Sequence, residues 1–435
     1  MTNNRRKFLK RVAGSSLGIF AAPMIIPGAA LGKNGAIAPS DRIVMGGVGL
    51  GAMGTGNTRG FLKKKEVQYV AICDVDSERQ EKAVQMVNKS YGNTNCRSYT
   101  HFEDFFEKEK LDAVTLALPD HWHAIISIAA ANKGLDIYGE KPLARSIKEA
   151  RAIVDAVEKN KVIWQTGSWQ RSVDNFRIGA ELVINGRIGK VSYVEVGLPD
   201  GGKSIGTPPV MEVPAALDWD KWLGPAPGVP YRGISHWDWR WILDYSGGQL
   251  TDWAGHHIDI AHWGLGYDRT GPVAVEGVGV YPREGIYNAP VEYDFTCRYK
   301  SGVRMRVANA SRQPHGMGTV WYGDLGWIHV KRGDVLEASE PKILDEVIGP
   351  DETKLYKSRD HHQNFLDCVK SREETITPAE VALRSISVGL LGEIAMLTGR
   401  PLEWDPQKEV FTNSEHANRM LMRPYRTPWT LDGGV

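Results

Sequence analysis

Two short segments carry residue types able to do acid–base chemistry. The first is Glu140-Lys141-Pro142, which follows an apolar run at 135–139 that reads as a strand. A lysine side chain polarises a hydroxyl or carbonyl oxygen, or moves a proton when its pKa is lowered. Proline fixes the backbone after it, and an X–Pro bond is where a cis form is expected. Taken alone, the same tripeptide is a common surface turn. The second segment, residues 247–259, reads GGQLTDWAGHHID. Asp252 and His256 are four apart, so on a regular helix they share a face. A carboxylate bonded to one imidazole nitrogen fixes the tautomer and makes the other nitrogen a better general base. His257 and Asp259 add a second polar pair, and His262 extends the cluster. This spacing also suits a zinc site or plain structural histidines. On this segment alone base, metal and structural roles stay open, and no metal is expected.

These groups need a frame, and the chain offers one upstream. Residues 42–48 form an apolar strand that runs into Gly49-Leu50-Gly51-Ala52-Met53-Gly54, a G-x-G-x-x-G turn. A helical stretch follows at 52–64, then a second strand at 67–73 ending in Asp74. In such a unit Gly49 permits the tight turn and Gly51 admits a pyrophosphate close to the backbone. Gly54 lets helix and strand pack closely, and the helix N-terminus offers free N–H groups to the phosphates. Asp74 stands where an acid accepts hydrogen bonds from the adenosine ribose, which favours NAD over NADP; Arg79 lies near enough to complicate that preference. With 47 glycines in the chain a bare glycine match means little. Strand before, helix after and acid at the next strand end make it a dinucleotide site. The bland alternative is a βαβ unit without ligand.

Strand–helix alternation continues through helices at 78–91, 121–133 and 147–160 and strands at 113–118, 135–139 and 162–166. Ser77 and Gln80 have the spacing of a capping box for the first of these helices. Continuous apolar strands alternating with helices imply a parallel, doubly wound sheet in an α/β domain at 40–165. After that the pattern changes. Strand-like segments recur at 191–197, 273–280, 291–299, 303–309, 318–322 and 326–331, with helices at 175–186, 360–371 and 378–398. They imply an α+β domain at 166–435 with a large mixed or antiparallel sheet.

Residues 1–33 read as a targeting segment. Asn4-Arg5-Arg6-Lys7-Phe8-Leu9-Lys10 resembles the twin-arginine export motif, and an apolar stretch and small residues follow. Export to the periplasm by that machinery is expected, with an uncleaved leader tethering the protein to the membrane as the alternative. No other segment reads as long and apolar enough to span a bilayer. Formal charge is +1, from 53 basic and 52 acidic residues, and outside the N-terminus no basic stretch stands out, so nucleic acid is not an expected partner. The four cysteines (Cys73, Cys96, Cys297, Cys368) have no metal-like or disulfide-framework spacing.

Together these motifs resemble the Gfo/Idh/MocA oxidoreductases, the family of glucose–fructose oxidoreductase and inositol dehydrogenase, from residue 40 onward. The carriers are Gly49–Gly54, Cys73-Asp74-Val75-Asp76, Pro119-Asp120-His121-Trp122-His123, Glu140-Lys141-Pro142, Gln165-Thr166-Gly167-Ser168 and Asp252…His256. The resemblance implies Lys141, Asp252 and His256 as the catalytic set. It places Glu140 and Lys141 beside the cofactor, with Pro119, Trp122 and His123 lining the nicotinamide side. Ala254 stands where many members have glycine. Exported relatives with such patterns resemble sugar- or glycoside-processing proteins, so Trp169, Arg171, Trp239, Tyr245 and His257 are candidate sugar contacts. The implied reaction is hydride transfer between a tightly bound NAD or NADP and a hydroxyl of a sugar, glycoside or cyclitol. A redox-neutral glycosidase or lyase acting through a transient keto-sugar is the alternative; the lysine argues against it. A catalytically silent sugar-binding module is the third reading. A homo-oligomer, dimer or tetramer through the second domain's sheet, is also expected, and residues 31–41 are candidates for an arm that covers the cofactor.

Overall fold

The computed structural model describes residue 38 and residues 41–202, 204–234 and 238–431; the expected leader, and almost all of the expected arm at 31–41, lie outside the described residues. Strands β1 (Ile43–Val48), β2 (Val67–Cys73), β3 (Arg97–Tyr99), β4 (Ala113–Leu116), β5 (Asp136–Gly139) and β6 (Trp164–Thr166) form one sheet in the order β3-β2-β1-β4-β5-β6. Every pairing in it is parallel. β4 and β5 are buried along their whole length, which is why they read as unbroken apolar runs. Strand order reverses between β1 and β4. At such a switch point the loops at the carboxyl ends diverge and leave a crevice.

Some details differ from expectation. The helix Ser77–Tyr91 is capped by Asp76, whose carboxylate accepts from the Glu78 and Arg79 N–H groups. Gln80 instead donates to the Asp74 carbonyl and to Thr100, so the Ser77/Gln80 box does not form. Strand β3 and the helix Phe102–Lys108 were not legible. β3 is three residues long and mostly exposed, and so has no apolar pattern.

The second sheet contains β7 (Val191–Leu198), β8 (Ala274–Val280), β9 (Glu292–Arg298), β10 (Arg304–Asn309), β11 (Gly318–Gly323), β12 (Trp327–Lys331), β13 (Val335–Ala338), β14 (Leu402–Asp405) and β15 (Val410–Phe411). Its order is β13-β12-β11-β7-β10-β9-β8-β14-β15, and the β7–β10 pair is parallel within a sheet whose other pairings are antiparallel. The helix Ala379–Thr398 packs on β8 and β9 and also on the helix Ile147–Asn160 of the first sheet. With a mean hydropathy of 1.5 over its most apolar 18 residues it is long and apolar enough to cross a membrane, contrary to the sequence reading. Its apolar surface is spent inside the protein, where it joins the two sheets' core.

One element returns to the first sheet from far along the chain. The helix His361–Ser371 buries Phe365 and Leu366 against Phe61, Tyr69 and Tyr138. His361 Nε2 bonds the Thr166 carbonyl at 2.8 Å, and Arg372 pairs with Asp136 at 2.6 Å.

Candidate active site

At the crevice, the glycine turn is shaped by what surrounds it. Gly49 has φ +84°, and a Cβ there would collide with the Ala117 carbonyl at the end of β4. A Cβ on Gly54 would collide with the Gly49 carbonyl, so the helix Ala52–Leu62 can approach the turn this closely only with glycine. Gly51 leaves room for a guanidinium nitrogen of Arg79 beside the turn. Asp74 holds the turn from the other side, accepting from Leu50 N–H at 2.6 Å and from Asp76 N–H at 3.0 Å. Burial pushes its carboxyl above the usual range, against the Leu50 N–H and Arg79. Four lone-pair positions on a carboxylate leave room for ribose hydroxyls as well. The turn, the helix N-terminus and this acid fit a dinucleotide.

A continuous cavity of about 590 Å³ runs from this turn to the second chemical segment. Gly49, Gly51, Ala52, Met53 and Asp74 line one end. Pro119, Trp122 and Glu140 line the middle, and Lys141, Asp252 and His256 the other end. A strap at 216–218, beyond the parallel sheet in the chain, closes the side next to Val75 and Ser77. Ser77 N–H bonds the Ala216 carbonyl at 2.8 Å and Asp218 N–H bonds the Val75 carbonyl at 2.9 Å. Leu217 and Trp222 thereby become cavity wall.

Lys141 follows β5, and its bond to Pro142 is cis. Its Nζ donates to Asp252 Oδ1 at 2.6 Å. Arg240 Nε lies 3.8 Å from Asp252 Oδ2. Burial raises the Asp252 carboxyl, but Lys141 and then Arg240 outweigh it and hold it below the usual carboxylate range. The expected Asp252–His256 hydrogen bond is not formed. The α-helix Gly248–Trp253 gives way to a π-helical turn over Ala254–Ile258, and this breaks the regular four-residue register. His256 is buried with its Nδ1 lacking a partner among the described residues. Burial first, then the charges of Lys141 and Arg332, keep its pKa well below that of free imidazole. Close packing of this turn is tight against the lysine: a Cβ on Gly255 would sit 3.1 Å from Lys141 Cβ.

Other expected contacts serve the scaffold. His123 turns Nδ1 to the Pro142 carbonyl at 2.6 Å and Nε2 to the Leu118 carbonyl at 2.9 Å, so it steadies the lysine loop rather than lining the cavity. Trp122 forms wall, but its indole N–H donates to the Trp222 carbonyl. Glu140 is buried, one oxygen accepting from Asn57 and the other without a partner among the described residues. Burial raises its carboxyl despite Lys141. Arg171 is corrected from sugar contact to core. Its guanidinium pairs with Asp259 at 2.7 Å and Asp268 at 2.8 Å, beneath Trp263. Tyr245 is likewise buried, edge-on to Trp222. His257 stacks on Trp253 behind the wall. Trp169 and Trp239 do face the cavity.

Sequence reading missed Arg240, Arg332 and Asp120 at this end. Asp120 accepts from the Ser246 hydroxyl at 2.6 Å, and burial raises its carboxyl. Asp120 sits inside the Pro119–His123 motif, which was its available signal. Arg332 lies in an ordinary polar turn after β12 and gave none. His315, in the loop before β11, His329 on β12 and Glu337 on β13 bring one ligand atom each within 4.8 Å of the others; they do not line this cavity.

A parallel dinucleotide-binding sheet, a large mixed sheet and a lysine–carboxylate–histidine cluster at their shared cavity define a two-domain oxidoreductase. Residues 43–168 match the NAD-binding Rossmann fold of an oxidoreductase family, and residues 201–431 match that family's C-terminal alpha/beta domain. The chain belongs to the Gfo/Idh/MocA oxidoreductase family. A glycosyl hydrolase family 109 protein of Shewanella pealeana is 30% identical over 175 residues, 37% of this chain and 38% of that protein. An alpha-N-acetylgalactosaminidase of Shewanella oneidensis is 27% identical over 173 residues, 36% and 38% of the two chains. The chain thus spans well under half the length of the curated relatives it matches. Among solved structures, the WlbA dehydrogenase of Bordetella pertussis, in complex with NADH and UDP-GlcNAcA, has a TM-score of 0.61 at 18% identity, covering 84% of this chain and 99% of that one. Myo-inositol 2-dehydrogenase of Lactobacillus plantarum has a TM-score of 0.56 at 18% identity, covering 83% and 99%. At such identity the likeness is one of fold.

Proposed function

We propose that the protein oxidises a hydroxyl-bearing carbon of a sugar, glycoside or cyclitol. The observation that carries this reading is the Lys141–Asp252 pair beside His256, at the far end of the cavity that begins at the glycine turn. A nicotinamide dinucleotide held over that turn by Gly49–Gly54 and Asp74 supplies the hydride acceptor. Lys141 donates to the substrate oxygen and holds it; Asp252 keeps the lysine in place. His256, kept neutral by burial and two neighbouring cations, takes the hydroxyl proton. Asp252 therefore positions Lys141 and does not orient the base.

The test is a single turnover. Holoprotein is mixed with sugars deuterated at successive carbons, and the label is sought in the nicotinamide by mass spectrometry. Transfer from one carbon, abolished in Lys141→Ala, is expected. No transfer from any carbon of any sugar that binds would sink the reading.

A second reading, a redox-neutral glycosidase, is favoured by the glycosyl hydrolase family 109 relatives and by the strap at 216–218. A cofactor walled in at its adenosine end suits a hydride that is returned to the same molecule. Release of a leaving group with no net change in cofactor would select this reading over net oxidation. Export through the twin-arginine route, with cofactor loaded beforehand, is proposed with either.

A further inference from the structure

Arg332 lines the cavity without a direct ion pair to any carboxylate among the described residues. Its guanidinium carbon lies 4.7 Å from the Trp169 ring centre and 4.4 Å from that of Trp253, so the planar group is clasped between two indoles. Nε donates to Gln170 Oε1 at 3.0 Å. Nη2 is buried and has no partner among the described residues. The two carboxylates at this end of the cavity are engaged elsewhere. Asp252 favours the charge of Arg332 from a distance but is bonded to Lys141 and faced by Arg240, and Asp120 accepts from Ser246.

A partly buried cation with no direct ion pair leaves hydrogen-bonding capacity to fill, and a guanidinium held flat can present its free edge in one plane only. That edge matches two oxygens of one oxyanion group. We infer that Arg332 receives an anionic group of the substrate, so that the sugar handled here is acidic: a uronate, or a sugar bearing a sulfate or phosphate ester. The clasping indoles also give the sugar ring an apolar wall beside its charged group. This rests on the sugar chemistry proposed above and names its substrate class.

The test measures binding to the holoprotein by calorimetry, without turnover. The probes are glucuronate, galacturonate, glucose 6-sulfate and glucose 6-phosphate, each against its neutral parent sugar. At least one acid is expected to bind ten-fold or more tightly than its parent, and which acid wins names the oxyanion. Arg332→Gln should bring that ratio near one, and Arg332→Lys, a point charge without the fork, should retain part of it. Raising salt should weaken the acid and leave the neutral sugar unchanged. Neutral sugars binding as well as acids, a preference that survives in a folded Arg332→Gln protein, or no binding of any acid overturns the inference. Because turnover is not read, acid binding through Arg332 without label transfer would leave this inference standing while the proposed oxidation fails. Oxidation of neutral sugars alone would do the reverse.

Discussion

At the residue scale the decisive fact is that one carboxylate serves the lysine and not the histidine. Removing Lys141 leaves Asp252 facing only Arg240 and the more distant charge of Arg332, and the substrate oxygen loses its donor. Lys141→Ala should lower kcat by about 10²–10⁴-fold while cofactor affinity stays near that of the wild type, since the lysine bonds Asp252 and is no part of the glycine turn. Retention of more than about a tenth of wild-type kcat would remove Lys141 from the chemistry. The environment of His256 makes a separate prediction. Its folded pKa is depressed, so the ring stays unprotonated well below the pH where free imidazole takes up a proton. The acid limb of kcat/KM should therefore lie well under pH 6.5, and a limb at about 6.5 would show a solvent-exposed base instead. Asp74 already spends two lone pairs on the turn, so Asp74→Ser should loosen the turn as well as relax discrimination against a ribose phosphate. Titration of NAD and NADP against both proteins would find NADP gaining on NAD in the variant. An unchanged ratio would mean that this acid touches only the backbone.

At the scale of elements, the first βαβ unit was legible because its apolar strands, glycine spacing and terminal acid each have one physical use. The glycines allow a direct check. Gly54→Ala places a methyl on the Gly49 carbonyl, so the helix must withdraw. About 1–3 kcal/mol of stability should be lost, and the cofactor with it, as read by thermal melts with and without NAD. An alanine variant that melted and bound like the wild type would show that this close packing is not needed. The π-turn over Ala254–Ile258 was not legible, because nothing in Ala-Gly-His-His-Ile marks one extra residue per turn. Its consequence was the misassigned Asp252–His256 bond. Arg171 misled for another reason: an arginine after a strand reads alike whether it meets a sugar or two distant aspartates. Arg332 reached the cavity by way of a sheet whose strand order no local pattern shows.

At the scale of the whole molecule, buried histidines link the fold to acidity. Burial takes His262 to about 4, and its Nε2 sits 2.6 Å from the Tyr299 hydroxyl. Its folded pKa is below the unfolded one, so its contribution is complete above about pH 6.5 and is lost as pH falls toward 4. The stability gap between wild type and His262→Gln should narrow by roughly 2 kcal/mol from pH 7 to pH 5, measured by urea unfolding. A constant gap would place the ring in water. The helix His361–Ser371 has a consequence of another kind. Its Phe365 and Leu366 complete a face of the sheet whose last strand ends at Thr166. Between the two lie roughly 200 residues, and at the usual 5–20 residues per second their synthesis takes about 10–40 s. For that interval the nascent sheet is born with one side unfinished. Early ribosomal products lack the aromatic cover that Phe365 brings to Phe61 and Tyr138, and the clock for maturation starts only when the far part of the message has been read.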